Sequence, residues 1–300
     1  MNENAATLSE TKKKTGARVG RIVVYAVLVI YTLFLFAPML IVLLTSVTST
    51  EQLTSTTSFV WFPRITFDAY AAVFSEDIYA DYLGAPSLLV GFLNTMWMTL
   101  VPLVIGLIVS GLSAYAYGKL KFPGKEKLFK IAFLVSVMPL GAFGVISYTF
   151  YSQIGWVGTA LPIIIPGMFG SMSTVFFLKM FYEGIPDSLL EAAKLDGLGI
   201  IGIFFRIMVP LAIPAFIAQF VFGFVGGYNN YLIAKLYLEG VPELMTLQLV
   251  LSNIEQIFPG MGRENIHCAA SILGMLPLII LYCFSQRFFI EGVAMGGVKE

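Results

Sequence analysis

The sequence predicts an all-α integral membrane protein with six transmembrane helices. The chain of 300 residues is 58% hydrophobic and only 12% charged, and its mean hydropathy is +0.85. Because soluble domains carry about a quarter charged residues, this composition places the chain in the membrane class. The formal net charge is zero, so no basic field predicts a nucleic-acid partner.

Apolar runs of about 20 residues, the length that crosses a bilayer core, recur along the chain. They predict spans at roughly 22–47, 90–117, 129–150, 158–178, 204–227 and 267–286. The uncharged stretch 131–178 is too long for one helix, and the polar, glycine-marked segment YSQIGWVG divides it into two. The first run is too long for a secretory signal, so we expect it to be retained as a transmembrane helix.

The distribution of basic residues predicts the orientation of these spans. If the N-terminus is cytoplasmic, the external segments keep only Arg64, Lys235 and Arg263 of the 18 Lys and Arg residues. Cytoplasmic segments of membrane proteins carry such an excess of basic residues, so we predict that both termini are cytoplasmic. The predicted organisation is a basic N-terminal segment 1–21, a six-helix transmembrane domain 22–290 and a cytoplasmic tail 291–300.

A short charged helix interrupts the apolar sequence in the second cytoplasmic loop, at 181–206. In IPDSLLEAAKLDG, Pro186 suits the first helical position, and Glu191 lies toward the positive end of the helix dipole. Gly197 follows Asp196 and can take the left-handed conformation that ends a helix. An isolated helix of about ten residues is marginal in water, so this helix needs another surface to dock against.

The spacing within this loop resembles the EAA signature of ABC importer permeases, which reads E-A-A-x3-G-x9-I-x-L-P. The matching residues are Glu191, Ala192, Ala193, Gly197, Ile207 and Pro210, and the chain departs from the signature only at Val209. The segments at 113–129, 176–197 and 285–300 resemble the maltose-type carbohydrate permeases within this family. At GYNNYL (227–232) the chain has Tyr228-Asn229 where that family usually has a tryptophan-asparagine pair.

The resemblance implies an ABC type I importer permease fold, in a multi-pass protein of the cytoplasmic membrane of a prokaryote. The implied solute is a sugar or oligosaccharide. The implied partners are a second homologous permease that completes a heterodimer, two ATP-binding subunits, an extracytoplasmic solute-binding protein and the lipid bilayer. ATP and Mg would be used by the partner ATPase, so the resemblance implies that this chain is not an enzyme and has no cofactor of its own.

The resemblance also implies which residues meet the ATPase. The implied coupling residues are Glu191, Ala192, Ala193, Asp196, Gly197, Ile207 and Pro210. In this family the C-terminal tail can also reach the ATPase, which makes Gly296, Gly297 and Lys299 further contact candidates.

The residues themselves supply no phosphate-binding loop and no catalytic group. GKLKFPGK at 118–125 has one residue too many between its glycines for a P-loop, and Lys125 is followed by Glu126 rather than Ser or Thr. His267 and Cys268 are adjacent, but two neighbouring ligands do not make a metal site. We therefore expect no metal, and we expect ATP hydrolysis to come from a partner.

Aromatic and amide side chains suit an uncharged, hydroxyl-rich solute. The candidate residues for the translocation path are Asn94, Tyr228, Asn229, Asn230 and Tyr231. An aromatic belt at the membrane interface is the alternative interpretation of the same cluster. The EAA spacing alone would also fit an importer of amino acids, polyamines or phosphonates. A self-contained carrier is a further alternative, although the middles of the predicted spans lack the ionisable groups that proton-coupled carriers use.

Overall fold

A computed structural model describes the protein over residues 2–55, 60–61, 63–138, 144–260 and 262–296, with side chains from Gly20 to Gln286 within those ranges. Its α-helices are α1 (Asn2–Ser46), α2 (Thr50–Ser55), α3 (Asp68–Ser75), α4 (Ala80–Leu83), α5 (Ser87–Lys119), α6 (Lys125–Val137), α7 (Gly144–Gln153), α8 (Leu161–Met168), α9 (Met172–Glu183), α10 (Asp187–Leu195), α11 (Ile200–Ile203), α12 (Val209–Leu211), α13 (Ile213–Tyr228), α14 (Tyr231–Leu238), α15 (Leu247–Ser252), α16 (Ile254–Ile257) and α17 (Glu264–Gly296). A π-helical turn (Phe204–Met208) precedes α12, and a 3-10 turn (Pro242–Leu244) precedes α15.

Most of the predicted spans coincide with long apolar helices. In the described part of the chain, four segments are long and apolar enough to cross a membrane: Gly20–Ser46, Ser87–Lys119, Leu161–Glu183 and Glu264–Gln286. A fifth is present if Ile200–Leu211 and Ile213–Tyr228, which meet at 80°, are one broken span. The predicted third span falls on α6 and α7, and residues 139–143 between these helices lie outside the described residues. The count of six spans and the orientation of the termini therefore stay predictions.

The first of two compact units consists of the described residues of 1–72 and 260–272. Asn265, which is 2% exposed, is hydrogen-bonded to the segment that follows α1. Its Nδ2 donates hydrogen bonds to the Thr48 carbonyl oxygen at 3.0 Å and to Thr50 Oγ1 at 3.1 Å. Buried amides are nearly always hydrogen-bonded, and these two bonds hold the segment between α1 and α2 against the start of α17.

The second unit consists of the described residues of 73–259 and 273–300. Helix α5 runs through it and packs against α8, α9, α13 and α15. Glycines allow these backbones to approach closely, as is common between transmembrane helices. A Cβ on Gly106 would overlap the carbonyl oxygen of Gly167, and a Cβ on Gly227 would lie 2.7 Å from Thr99 Cγ2. These glycines therefore set the distances between α5 and its neighbours.

One buried cluster of the second unit joins α5, α9, α10 and the helical segments that follow α10. We call it the anchor core. Its buried members are Ala114, Tyr115, Val175, Leu178, Tyr182, Ile185, Leu190, Ala193, Ile203, Phe204, Met208, Ala212 and Ala215. Because it takes residues from α10 and from both sides of the 80° bend, it physically connects the charged loop to the apolar helices.

Candidate functional site

Helix α10 carries the EAA-like motif, and one face holds it to the anchor core. Leu190 and Ala193 are 5% and 4% exposed and belong to that core, and their three-residue spacing puts them on one helix face. Glu191 and Ala192 are exposed. The two alanines of the motif thus differ: Ala193 packs inward, and Ala192 lies on the open surface.

The end of α10 is set by Gly197. The Gly197 amide donates to the Lys194 carbonyl oxygen, and the Leu198 amide donates to the Ala193 carbonyl oxygen, both at 3.0 Å. This pair of bonds is a Schellman motif, which requires a left-handed residue after the C-cap Asp196. Gly197 has φ +82, so the predicted left-handed conformation is confirmed.

Lys119, at the end of α5, is hydrogen-bonded to residues at the start of α10. Its Nζ donates to the Ile185 carbonyl oxygen and to Asp187 Oδ1, each at 2.6 Å. The Lys119 side chain is 7% exposed and that of Asp187 is 75% exposed. The hydrogen bond from Lys119, followed by its positive charge, lowers the pKa of the Asp187 carboxyl. Sequence reasoning counted Lys119 only as a basic residue, because its partner lies 68 positions away.

The segment after α10 is an irregular helix with a sharp bend. The π-helical turn Phe204–Met208 comes immediately before Val209 and Pro210. A proline cannot donate to the carbonyl four residues earlier, and its ring crowds that carbonyl, so a widened turn before Pro210 relieves the clash. Pro214 lies in the first turn of α13, just after the break where the flanking segments meet at 80°, a position at which the missing amide of a proline breaks no helical hydrogen bond. Ile207 packs against the anchor core, so α10 and this bend share one packed cluster.

The outer surface of α10 combines an acidic side chain with apolar ones. Leu195 is 90% exposed and Leu189 is 45% exposed, and Glu191 forms no hydrogen bond or ion pair with any described residue. This face of α10 is thus not covered by any described part of the chain. A helix that is fixed on one face and open on the other can dock a partner and transmit its movement.

A cavity of about 420 Å³ lies among α5, α8, α9 and α13 of the second unit. Its polar lining consists of hydroxyl and amide side chains, and none of the described lining residues carries a charge. The lining includes Thr99, Thr174, Gln219, Asn230 and Thr246. Sequence reasoning missed Gln219, although an amide inside the apolar run of α13 was a visible signal. The cavity can offer hydrogen bonds to a small polar molecule.

Two of the residues predicted to line the translocation path have buried side chains with protein partners. Asn94 Nδ2 donates to the carbonyl oxygens of Glu243 and Met245 at 2.8 and 3.0 Å. Tyr228 is 1% exposed, and its hydroxyl donates to the Gly274 carbonyl oxygen at 2.7 Å. In this conformation both side chains hold neighbouring segments together.

The other three predicted path residues lie at the junction of α13 and α14. Asn229 Oδ1 accepts a hydrogen bond from Gln248 Nε2 at 3.3 Å, and Lys235 Nζ lies 5.6 Å from the centroid of the Tyr231 ring. Asn230 caps α14 through its Oδ1 and lines the cavity. The structure thus brings Asn230 to the cavity, and the transport role of the five residues stays a prediction.

Of the predicted tail contacts, only Gly296 lies within the described residues. Gly296 is the last residue of α17, and Gly297 and Lys299 lie outside the described residues. Among the described residues, no group of three or more His, Cys, Asp or Glu side chains could hold a metal ion.

The bundle of apolar helices, with the EAA-like helix α10 anchored beside a bent span, has the features expected of an ABC transporter permease. The chain is 31% identical over 296 residues to the inner membrane ABC transporter permease protein YcjP of Escherichia coli strain K12, covering 96% of this chain and 99% of that protein. The chain therefore belongs to the ABC transporter permease family. This assignment selects an ABC permease over a self-contained carrier.

Two further similarities agree with this family. The chain is 28% identical over 253 residues to the arabinooligosaccharides transport system permease protein AraQ of Halalkalibacterium halodurans, covering 84% of this chain and 86% of that protein. Its fold matches the crystal structure of a bacterial ABC transporter involved in the import of the acidic polysaccharide alginate, with a TM-score of 0.78, 23% identity and coverage of 91% of this chain and 97% of that chain. No family model matches the chain.

Proposed function

We propose that this permease subunit serves an ATP-driven importer of a sugar or oligosaccharide in the cytoplasmic membrane of a prokaryote. The observation that carries the proposal is α10, fixed to the anchor core by Leu190 and Ala193 and exposed on its other face. The names of its relatives support the substrate class, since AraQ is named for arabinooligosaccharides and the structural match concerns alginate import.

The proposed coupling step is a movement of α10 by a partner ATPase. Glu191 and Ala192 lie on the exposed face that would enter the ATPase, while Gly197 sets the turn that returns the chain to the bundle. Asp196 is the C-cap before that turn. Closure of the ATPase around ATP would favour one of two positions of α10, because a ligand shifts a two-state element by its differential affinity for the states.

The anchor core would then pass this movement to the membrane helices. Ile207 packs against that core, and Pro210 stands beside the 80° bend. Because packed cores move between discrete arrangements rather than deforming continuously, a displacement of α10 would shift the bent span as a unit. In this way the ATPase would switch the transport path between the two sides of the membrane.

The proposed assembly contains a second homologous permease as the other half of a heterodimer, two ATP-binding subunits and an extracytoplasmic solute-binding protein. Six spans with both termini cytoplasmic would place α10 on the ATPase side. ATP and Mg would be used by the partner ATPase. Gly296, Gly297 and Lys299 of the tail are proposed as a further contact with that subunit.

The lining of the cavity favours a sugar over the other solutes that EAA permeases import. Amino acids, polyamines and phosphonates are charged near neutral pH, and none of the described lining residues offers an opposite charge. A buried charge without a partner is strongly unfavourable. Sugar hydroxyls, in contrast, pair with hydroxyl and amide side chains.

A pull-down from the native host tests the coupling surface. The tagged chain is solubilised in detergent, and co-purifying ATPase and second permease are quantified for the parent and for Glu191→Ala. Glu126→Ala is the matched control, because Glu126 is also an exposed acidic residue of a helix but lies in α6. We expect the ATPase to co-purify with the parent and the control and to be depleted with Glu191→Ala.

The same preparation tests the reaction. Reconstituted into vesicles with the co-purified subunits, the parent should take up saccharides only when ATP is supplied. Isolation of the parent chain without an ATPase, together with saccharide uptake in the absence of ATP, would refute the proposed function.

A further inference from the structure

The cavity among α5, α8, α9 and α13 has the size and walls of a ligand site. Its volume of about 420 Å³ falls within the range of roughly 300–1,000 Å³ that is usual for ligand pockets. Its walls approach closely at glycines, since a Cβ on Gly106 would overlap the carbonyl oxygen of Gly167 and one on Gly170 would lie 2.6 Å from the carbonyl oxygen of Gly106. The cavity is therefore a partly open cleft lined by packed elements of one unit.

A chain of hydrogen bonds orients Gln219 within this cavity. Ser171 Oγ donates to Thr174 Oγ1 at 2.8 Å, and Thr174 Oγ1 donates to Gln219 Oε1 at 3.0 Å. Since a hydroxyl has one proton to donate, this order makes the Gln219 oxygen the acceptor. The Gln219 Nε2 group then has two hydrogens that no described residue accepts.

A second polar group of the lining is also unpaired. Thr246 lines the cavity, is 6% exposed, and its Oγ1 has no hydrogen-bond partner in the described part of the chain. A buried hydroxyl without a partner is unfavourable, whereas a ligand hydroxyl would satisfy it. Asn230 adds a third unused group, because its Oδ1 accepts from the Ile233 amide while no described residue accepts from its Nδ2.

We propose that this cavity binds an uncharged saccharide, with Gln219 Nε2 donating to a sugar hydroxyl and with Thr246 and Asn230 pairing with others. The proposal rests on the proposed function and adds a site within this subunit and a substrate class. The lining offers hydroxyl and amide groups but no charge. A uronic acid would place its carboxylate against this lining without a counter-charge, so the proposed site favours neutral over acidic saccharides.

The test uses the complex as it co-purifies with this chain, reconstituted into vesicles with ATP. Short neutral oligosaccharides and uronic acid oligosaccharides of matched length are supplied together, and mass spectrometry identifies those that enter the vesicles. Gln219→Met keeps the length of the side chain and removes its amide. Gln153→Met makes the same change at an exposed position of α7 outside the cavity.

The parent complex is expected to import neutral oligosaccharides in preference to uronic acid ones. With Gln219→Met, the sugar concentration for half-maximal uptake should rise about tenfold, the effect of one lost hydrogen bond, while the amount of assembled complex stays unchanged. Thr174→Val, which removes the orienting hydroxyl, should raise it by a smaller factor, and Gln153→Met should leave it unchanged.

Three other results would count against the proposal. Preferential import of uronic acid oligosaccharides, or parental kinetics in Gln219→Met, would overturn the proposed site and leave the sugar-importer function in place. Absence of ATP-dependent import of any saccharide by the parent complex would instead refute the proposed function itself.

Discussion

Replacing Gly197 by Ala isolates the role of the turn that ends α10. Gly197 has φ +82, and a Cβ built at this position meets nothing within 4 Å. The substitution therefore adds no steric clash with neighbouring residues, and its effect comes from the backbone conformation alone. Gly199 is the matched control, since it has φ −73 and also has no atom within 4 Å of a built Cβ.

The expected magnitude follows from these two backbone conformations. A left-handed conformation costs a residue with a Cβ about 1–2 kcal/mol, which corresponds to roughly a 5–30-fold change in a two-state population. At Gly199, the N-cap of α11, an alanine adopts the native φ without strain; the gain of about 0.4–1 kcal/mol from a stiffer unfolded chain is offset by the preference for glycine over alanine at an N-cap, so Gly199→Ala should change stability little. The two substitutions have the same chemistry and differ in the sign of φ.

Hydrogen exchange of the Leu198 amide reports this difference directly. That amide donates to the Ala193 carbonyl oxygen, so it exchanges when the turn opens. In the assembled complex we expect exchange to be roughly 5–30-fold faster in Gly197→Ala than in the parent. Binding of the partner ATPase should weaken in the same variant, because the exposed face of α10 is then less often presented in its docked geometry.

The reasoning would be refuted by equal Leu198 exchange in the parent and in Gly197→Ala. It would equally be refuted if Gly199→Ala accelerated exchange as much as Gly197→Ala did, since insertion of any methyl group into the loop would then explain both results.

Three further predictions concern the fastening of α10 and the packing of α5. Lys119→Met leaves the buried carbonyl of Ile185 without its hydrogen-bond donor, which costs about 1–3 kcal/mol. Co-purification of the ATPase should therefore fall several-fold, while the control Lys121→Met, at an exposed position, should have no effect. The Asp187 carboxyl has a lowered pKa. Its ion pair with Lys119 therefore contributes fully to stability above the ordinary aspartate pKa of about 3.9, and this contribution is lost as the pH falls through the lowered value. ATPase binding measured from about pH 5 to 8 should show no titration of this group. Gly106→Ala places a methyl group against the α8 backbone and should reduce the amount of assembled protein in the membrane, whereas Gly226→Ala, whose Cβ meets nothing within 4 Å, should not.

Local sequence determined the features that depend on nearby residues. The lengths of the apolar runs predicted the long helices at Gly20–Ser46, Ser87–Lys119 and Glu264–Gln286 to within a few residues, because a bilayer core requires a fixed length of apolar helix. The turn at Gly197 was equally predictable, since a glycine after a short amphipathic helix is the residue that accepts positive φ. The EAA spacing likewise indicated the family before any fold was known.

The role of a residue was harder to predict from the sequence where that role depends on a partner far away in the chain. Asn94 and Tyr228 were predicted to line a transport path from their residue types. Their side chains bond to carbonyls of the 3-10 turn region and of α17, respectively. An amide or phenol in an apolar segment suits either a ligand or a neighbouring backbone, and only the packed fold supplies the second kind of partner.

What the sequence by itself determined was the membrane class, most of the helices, the family motif and the turn that ends α10. The tertiary structure decided that Lys119 holds Asp187 across 68 residues and that Thr174 orients Gln219 across 45. It also decided that α10 and the bent span share one core. The physical reason is that helix length and positive φ are local properties of the chain, whereas a hydrogen bond or a packed cluster between remote segments exists only after the helices have been brought together.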